Sequence, residues 1–165
     1  MATLTNLESK LGEVTGLAMA ARTATTTVTK LARKEDKELV GMLKQMGSEA
    51  AETEKRCKQL GGGFNGKKTA IMQEAKQTKE KAASMMDIYL DEESDALDGF
   101  EFLTMAEAGE VGHWEVLGEM AKGAGRSDVQ QLVAWALPIQ QRHFETARTV
   151  STKLAASEDP NEESS

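Results

Sequence analysis

An all-α protein is predicted by three features of the sequence. Apolar residues recur three and four positions apart over long stretches. Only 2 prolines and 4% aromatic residues occur in a chain of 165. Clustered glycines, at Gly61 to Gly63 and at Gly123 and Gly125, stand where the periodic stretches end. The spacing gathers the apolar residues on one face of each helix, and abundant Ala, Glu, Lys, Met and Gln favour helix over strand. At this length, with 39% hydrophobic residues, a single domain can build its core without further staples.

The first helix is expected from about Thr3 to Lys34. Leu4, Leu7, Leu11, Val14, Ala18, Ala21, Val28 and Ala32 form its apolar stripe. Arg22, Thr25 and Thr29 share that face. The β-branched run ATTTVT is a weak helix former by itself, so tertiary packing must hold it helical. Glu8 and Glu13 fall roughly 100° or more from the centre of the stripe and are expected to be exposed. The second helix is expected from about Asp36 to Leu60, with Leu39, Leu43, Met46, Ala50, Thr53, Cys57 and Leu60 as its inner row and the Gly61 to Gly63 run as its stop. Glu49 and Glu52 sit one turn apart near the edge of that row. Cys57 lies on it and reads as a buried thiol.

The stretch from Phe64 to Ser94 is helical in composition but less regular. It reads as a crossover of one or two helices carrying the chain from one end of a bundle to the other. The next long helix follows Ser94 or Asp95, both good N-caps, and runs to about Lys122. Leu97, Phe100, Thr104, Glu107, Val111, Trp114 and Gly118 form its inner row. Glu107 thus falls in the middle of an apolar stripe, where an ionised carboxylate is expensive unless paired or bound to a cation. Glu110 lies about 60° to one side, and His113 is expected at an edge. The last helix, capped by Ser127, runs to about Ala155 and directs Gln140 and His143 inward together. Pro138 removes a backbone donor and is expected to bend the helix one turn before His143.

Charge and composition exclude several functions. A net charge of −7 and a pI near 5.0 argue against a nucleic-acid partner, which needs a concentrated basic face. No apolar run approaches the roughly 20 residues of a membrane helix. The single cysteine cannot form an internal disulfide, and MATLTNLESK lacks the basic start and apolar stretch of a secretory signal, so a cytoplasmic setting is expected. Residues 1–156 are expected to form one bundle, and residues 157–165, SEDPNEESS, a disordered acidic tail.

The run from Phe100 to Ala155 resembles the last two helices of rubrerythrins and, more closely, of YciE/YciF-type ferritin-like proteins, and within it AEAGEVGHWEVLGEMAKGAG is similar to that family's helix with paired glutamates, which places them on Glu107 and Glu110. ETEKRCKQL followed by a glycine turn and GKKTAIM resembles the same family's second helix and crossover. The similarity covers most of residues 35 to 155. It implies a ferritin-like four-helix bundle with a helical crossover between the second and third long helices. In that plan carboxylates and histidines on facing helices hold two iron or manganese ions. The implied metal positions are Glu49, Glu52, Glu107, Glu110, Gln140 and His143. Two departures stand out. Gln140 occupies a place where rubrerythrin-like sites carry glutamate, and a neutral amide cannot bridge two cations. The first helix offers Arg22 rather than an inward carboxylate.

Two functional expectations follow. One is a stress-associated bundle protein with a degenerate di-metal site and a structural or interaction role. The other is a di-iron or di-manganese carboxylate protein that reduces peroxide or oxidises metal. A homodimer is expected in either case, because the threonine-rich end of the first helix needs covering.

Overall fold

The computed structural model describes residues 2–33 and 36–161, and within them the chain forms five helices and no strand. Helix α1 spans Asn6–Ala32, α2 Lys37–Gly62, α3 Lys68–Tyr89, α4 Ala96–Gly123 and α5 Ser127–Ala155. Among these residues no helix is long and apolar enough to cross a membrane.

Local chemistry sets most of the boundaries. Thr5 caps α1 by accepting from the Glu8 backbone N–H at 3.2 Å, while the Glu8 carboxylate accepts from the Thr5 backbone N–H at 2.7 Å. This reciprocal box satisfies two free donors at the helix start. It also corrects an expectation, because turning back onto Thr5 leaves Glu8 buried rather than exposed. Asp36 caps α2, and Asp95 caps α4 through a second box with Asp98. Ser127, expected as a cap, is instead the first residue of α5. The cap position belongs to Arg126, whose guanidinium pairs with Asp128. Between α4 and α5 the chain turns through Gly125 at φ 62°, a left-handed conformation that glycine adopts without steric penalty. Pro138 lies inside α5, which continues through it as one helix.

Two apolar clusters fix the direction of each helix. One gathers Leu7, Leu11 and Val14 from the start of α1, Cys57 from the end of α2, Trp114 and Leu117 from the end of α4, and Val129 and Leu132 from the start of α5. The other gathers Val28 and Ala32, Leu39 and Leu43, Phe100 and Leu103, and Ala147 and Val150, from the opposite ends of the same four helices. So α1 and α5 run one way, and α2 and α4 the other. The expected crossover is the single helix α3, whose 22 residues span about 33 Å at 1.5 Å per residue and return the chain to the far end of the bundle.

Helix α1 packs on α2, α3 and α4, whereas α5 packs on α4 and more lightly on α2. The α1–α3 contact depends on two glycines. A Cβ at Gly12 would come within 2.7 Å of the Glu74 Cβ, and one at Gly16 would overlap the Ala75 carbonyl oxygen. The threonines of α1 are satisfied locally. Thr25 Oγ1 donates to the Ala21 carbonyl at 2.9 Å and Thr29 Oγ1 to that of Thr25 at 2.6 Å, which removes the cost of burying both hydroxyls. Both are buried within the chain itself, whereas Thr23 and Thr26 on the same stretch are exposed. Beyond α5, residues 157–161 are exposed; the remainder of the expected tail, residues 162–165, lies outside the described residues.

Candidate functional site

A polar layer separates the two apolar clusters. Between Leu103 and Trp114, α4 contributes Glu107 and Glu110; between Ala136 and Ala147, α5 contributes Gln140 and His143. All four are buried, Glu107 at 1% exposure and Glu110 at 5%. At the same level α1 turns Thr15, Ala18 and Ala21 inward, and α2 turns Met46, Ala50 and Thr53 inward. The ionisable side chains of the layer's interior therefore come from one half of the bundle. The facing half supplies small residues, a methionine and hydroxyls.

Glu107, Gln140 and His143 form one network with Glu49 of α2. The Gln140 side-chain amide donates to Glu107 Oε2, and His143 Nδ1 lies 3.7 Å from the same oxygen. On its other side, His143 Nε2 donates to Glu49 Oε2 at 2.6 Å, since a carboxylate can only accept. Glu49 reaches in from the edge of α2, and its second oxygen accepts from Arg142 at 2.7 Å. Burial opposes a charge on His143, but Glu107 and Glu49 outweigh it and hold the imidazole pKa above its ordinary 6.5. For Glu49 burial likewise works upward, and bonds from His143, Gln45 and Arg142 overcome it, leaving the carboxyl below its usual value.

Glu110 stands apart. Burial first, and the neighbouring Glu107 charge second, push its carboxyl well above the ordinary value. Its carboxyl takes no hydrogen bond among the described residues. Trp114 Nε1 is the one fully enclosed side-chain polar atom without a partner among them, so the Glu110 oxygens remain within reach of open space. Cys57, on the inner row of α2, has its thiol pushed up to about 12, chiefly by burial, which makes it an inert apolar filler.

The sequence-derived site residues thus divide. Glu107, Glu110, Gln140 and His143 come together, and Glu49 joins them through His143. Glu52 does not, because its side chain is 40% exposed and pairs along its own helix with Arg56 and Lys55. Its expected place is taken by Thr53, whose hydroxyl donates to the Glu49 carbonyl. Arg22 does not enter the layer either. It pairs at 2.6 Å with Glu54, a buried carboxylate that the sequence reading missed and that also holds Lys58. The one signal for Glu54 was its place beside the inner-row residue Thr53. His113 sits at an edge, 3.2 Å from Glu13, bridging α4 to α1.

These residues do not fit a pair of metal ions. A di-metal carboxylate centre draws acidic ligands from all four long helices and one histidine for each metal. Here the inward positions of α1 and α2 are Ala18, Ala50 and Thr53, the α5 partner of His143 is a neutral amide, and both His143 nitrogens face carboxylates. Among the described residues no group of three or more His, Cys, Asp and Glu side chains is arranged to hold a metal ion. Comparison with protein-family models, with curated proteins and with solved structures finds no match to this chain.

Proposed function

We propose that this chain is a ferritin-like bundle in which a hydrogen-bonded carboxylate, amide and imidazole network stands where a metal pair would be held. On this reading the protein has a structural or interaction role of the stress-associated kind and does not perform metal redox chemistry. The connectivity supports the ferritin-like part, with α2 and α4 parallel and α3 returning the chain between them. The observation that carries the functional part is the capture of His143 on both sides. Its nitrogens face Glu49 and Glu107, and Glu107 is bound in turn by Gln140. A metal pair would have to break each of those contacts, and the buried carboxylates of α1 and α2 among the described residues, Glu8 and Glu54, are engaged elsewhere, with Thr5 and with Arg22 and Lys58.

The test is elemental analysis of protein purified from cells grown with ample iron and manganese. Less than one metal ion per chain is expected. Two per chain would overturn the proposal in favour of a di-iron or di-manganese carboxylate protein acting on peroxide or on the metal itself.

A further inference from the structure

A cavity of about 330 Å³ lies between α1, α3 and α4, lined mainly by apolar side chains including Leu17, Ala20, Ala83, Met86 and Phe102. Met85 and Met105 sit partly exposed at its rim, where their flexible thioethers can adapt to different shapes. Glu107 and Glu110 also line it. Glu107 is held by Gln140 and His143, whereas Glu110, at 5% exposure, has no hydrogen-bond partner among the described residues. Thr23, Lys79 and His113 complete its polar lining. An apolar pocket with a few convergent polar groups is the usual form of a small-molecule site, and a buried carboxyl without a partner is costly unless something else completes it.

We propose that this cavity binds an amphipathic organic cation, a primary alkylamine, with its ammonium against Glu110 and its chain along the alanines and methionines of α1 and α3. An ammonium offers three donors and a positive charge, and an alkyl chain matches the remaining wall. At roughly 30 Å³ per non-hydrogen atom the cavity holds about ten such atoms, close to the nine of octylamine. The alternative occupant is an anionic amphiphile steered by Lys79, the cation at the lining, but that would leave Glu110 uncompensated. This inference rests on the reading that no metal occupies Glu107 and Glu110, and the elemental analysis above tests that reading separately.

Octylamine, octanol and octanoate are titrated into the full chain by calorimetry. Octylamine should bind one per chain, at least tenfold more tightly than the other two. Glu110→Gln keeps the shape and removes the carboxylate, so it should weaken octylamine at least tenfold and leave octanol unchanged. Gly109→Leu serves as a second variant at the cavity wall, where an added Cβ meets no atom within 4 Å, so the backbone accepts a side chain there; the leucine should occupy the cavity and weaken all three ligands. Equal or tighter binding of octanoate or octanol, unchanged octylamine binding in Glu110→Gln, or no octylamine binding at millimolar concentration would each overturn the proposal.

Discussion

Replacing Glu110 by glutamine should stabilise the protein by an amount that grows with pH. In the unfolded chain this carboxyl titrates near its ordinary 4.5, while in the folded chain burial and the Glu107 charge raise it well above that. Between those two values the folded state holds a proton that the unfolded state has released. Stability then falls as pH rises, by about 1.4 kcal/mol per pH unit for one proton. Glutamine binds no proton, so the variant lacks this slope. Glu107 on α4, His143 on α5, Cys57 on α2, Lys79 on α3 and His113 are common to both proteins, and to first order their contributions cancel in the difference. Urea denaturation followed by circular dichroism at a series of pH values should show the two proteins matching near about pH 4. From about pH 5 the variant should pull ahead by about 1.4 kcal/mol per unit, until the folded carboxyl itself ionises. A difference that stays constant with pH would refute the reasoning, since it would mean that Glu110 is ionised and paired in the folded protein.

Gly16→Ala should destabilise by about 1–3 kcal/mol, the usual penalty of overpacking, because the added Cβ meets the Ala75 carbonyl oxygen of α3. Gly41→Ala is the control: an added Cβ there meets nothing within 4 Å on an exposed helical face, and a gain of roughly 0.5–1 kcal/mol in a chemical melt is expected. The His143 imidazole, followed by NMR, should titrate above 6.5, and Glu49→Gln should lower its pKa by removing one of the two carboxylates that hold the ring charged. The associated stability is fully present below the unfolded value of 6.5 and lost as pH rises through the folded one. A His143 pKa unmoved by Glu49→Gln would mean that Glu107 alone sets it.

The helices were legible because a buried face repeats with the period of the helix. Leu39, Leu43, Met46, Ala50, Thr53, Cys57 and Leu60 of α2 were read as one row; the first six are buried and Leu60, at the helix end, is partly buried. Glu107 and His143 were legible for the same reason, as polar residues set at mid-stripe. What escaped was whatever depends on a second contact face or a distant partner. A single stripe presumes one neighbouring surface, but α1 has three neighbours, and its glycine face toward α3 looked like a gap in the pattern rather than an interface. Glu54 is one position off its row and is buried by Arg22, 32 residues away, a pairing that spacing alone does not encode. Glu49 and Glu52 looked equivalent one turn apart. Three residues along a helix rotate the side chain by about 60°, and that turns Glu52 toward solvent while Glu49 keeps its reach to α5.

The asymmetry of the polar layer bears on why Glu110 is there at all. Glu107 has compensation for its burial in Gln140 and His143, and loss of such a partner would leave a buried charge worth about 3–5 kcal/mol of instability. Glu110 has none among the described residues, and with its carboxyl raised by burial and by Glu107 it is expected to weaken the fold as pH rises. A glutamine or an apolar residue would serve packing better, and the cavity beside it leaves room for either. A group that lowers stability and opens on a ligand-sized space is what a trade of stability for binding looks like. The substitution separates the two roles, because Glu110→Gln should raise stability and weaken octylamine binding together. A purely structural carboxyl would couple the two losses in the same direction. Stabilisation with amine binding intact would leave Glu110 as a buried acid that serves neither the core nor a guest.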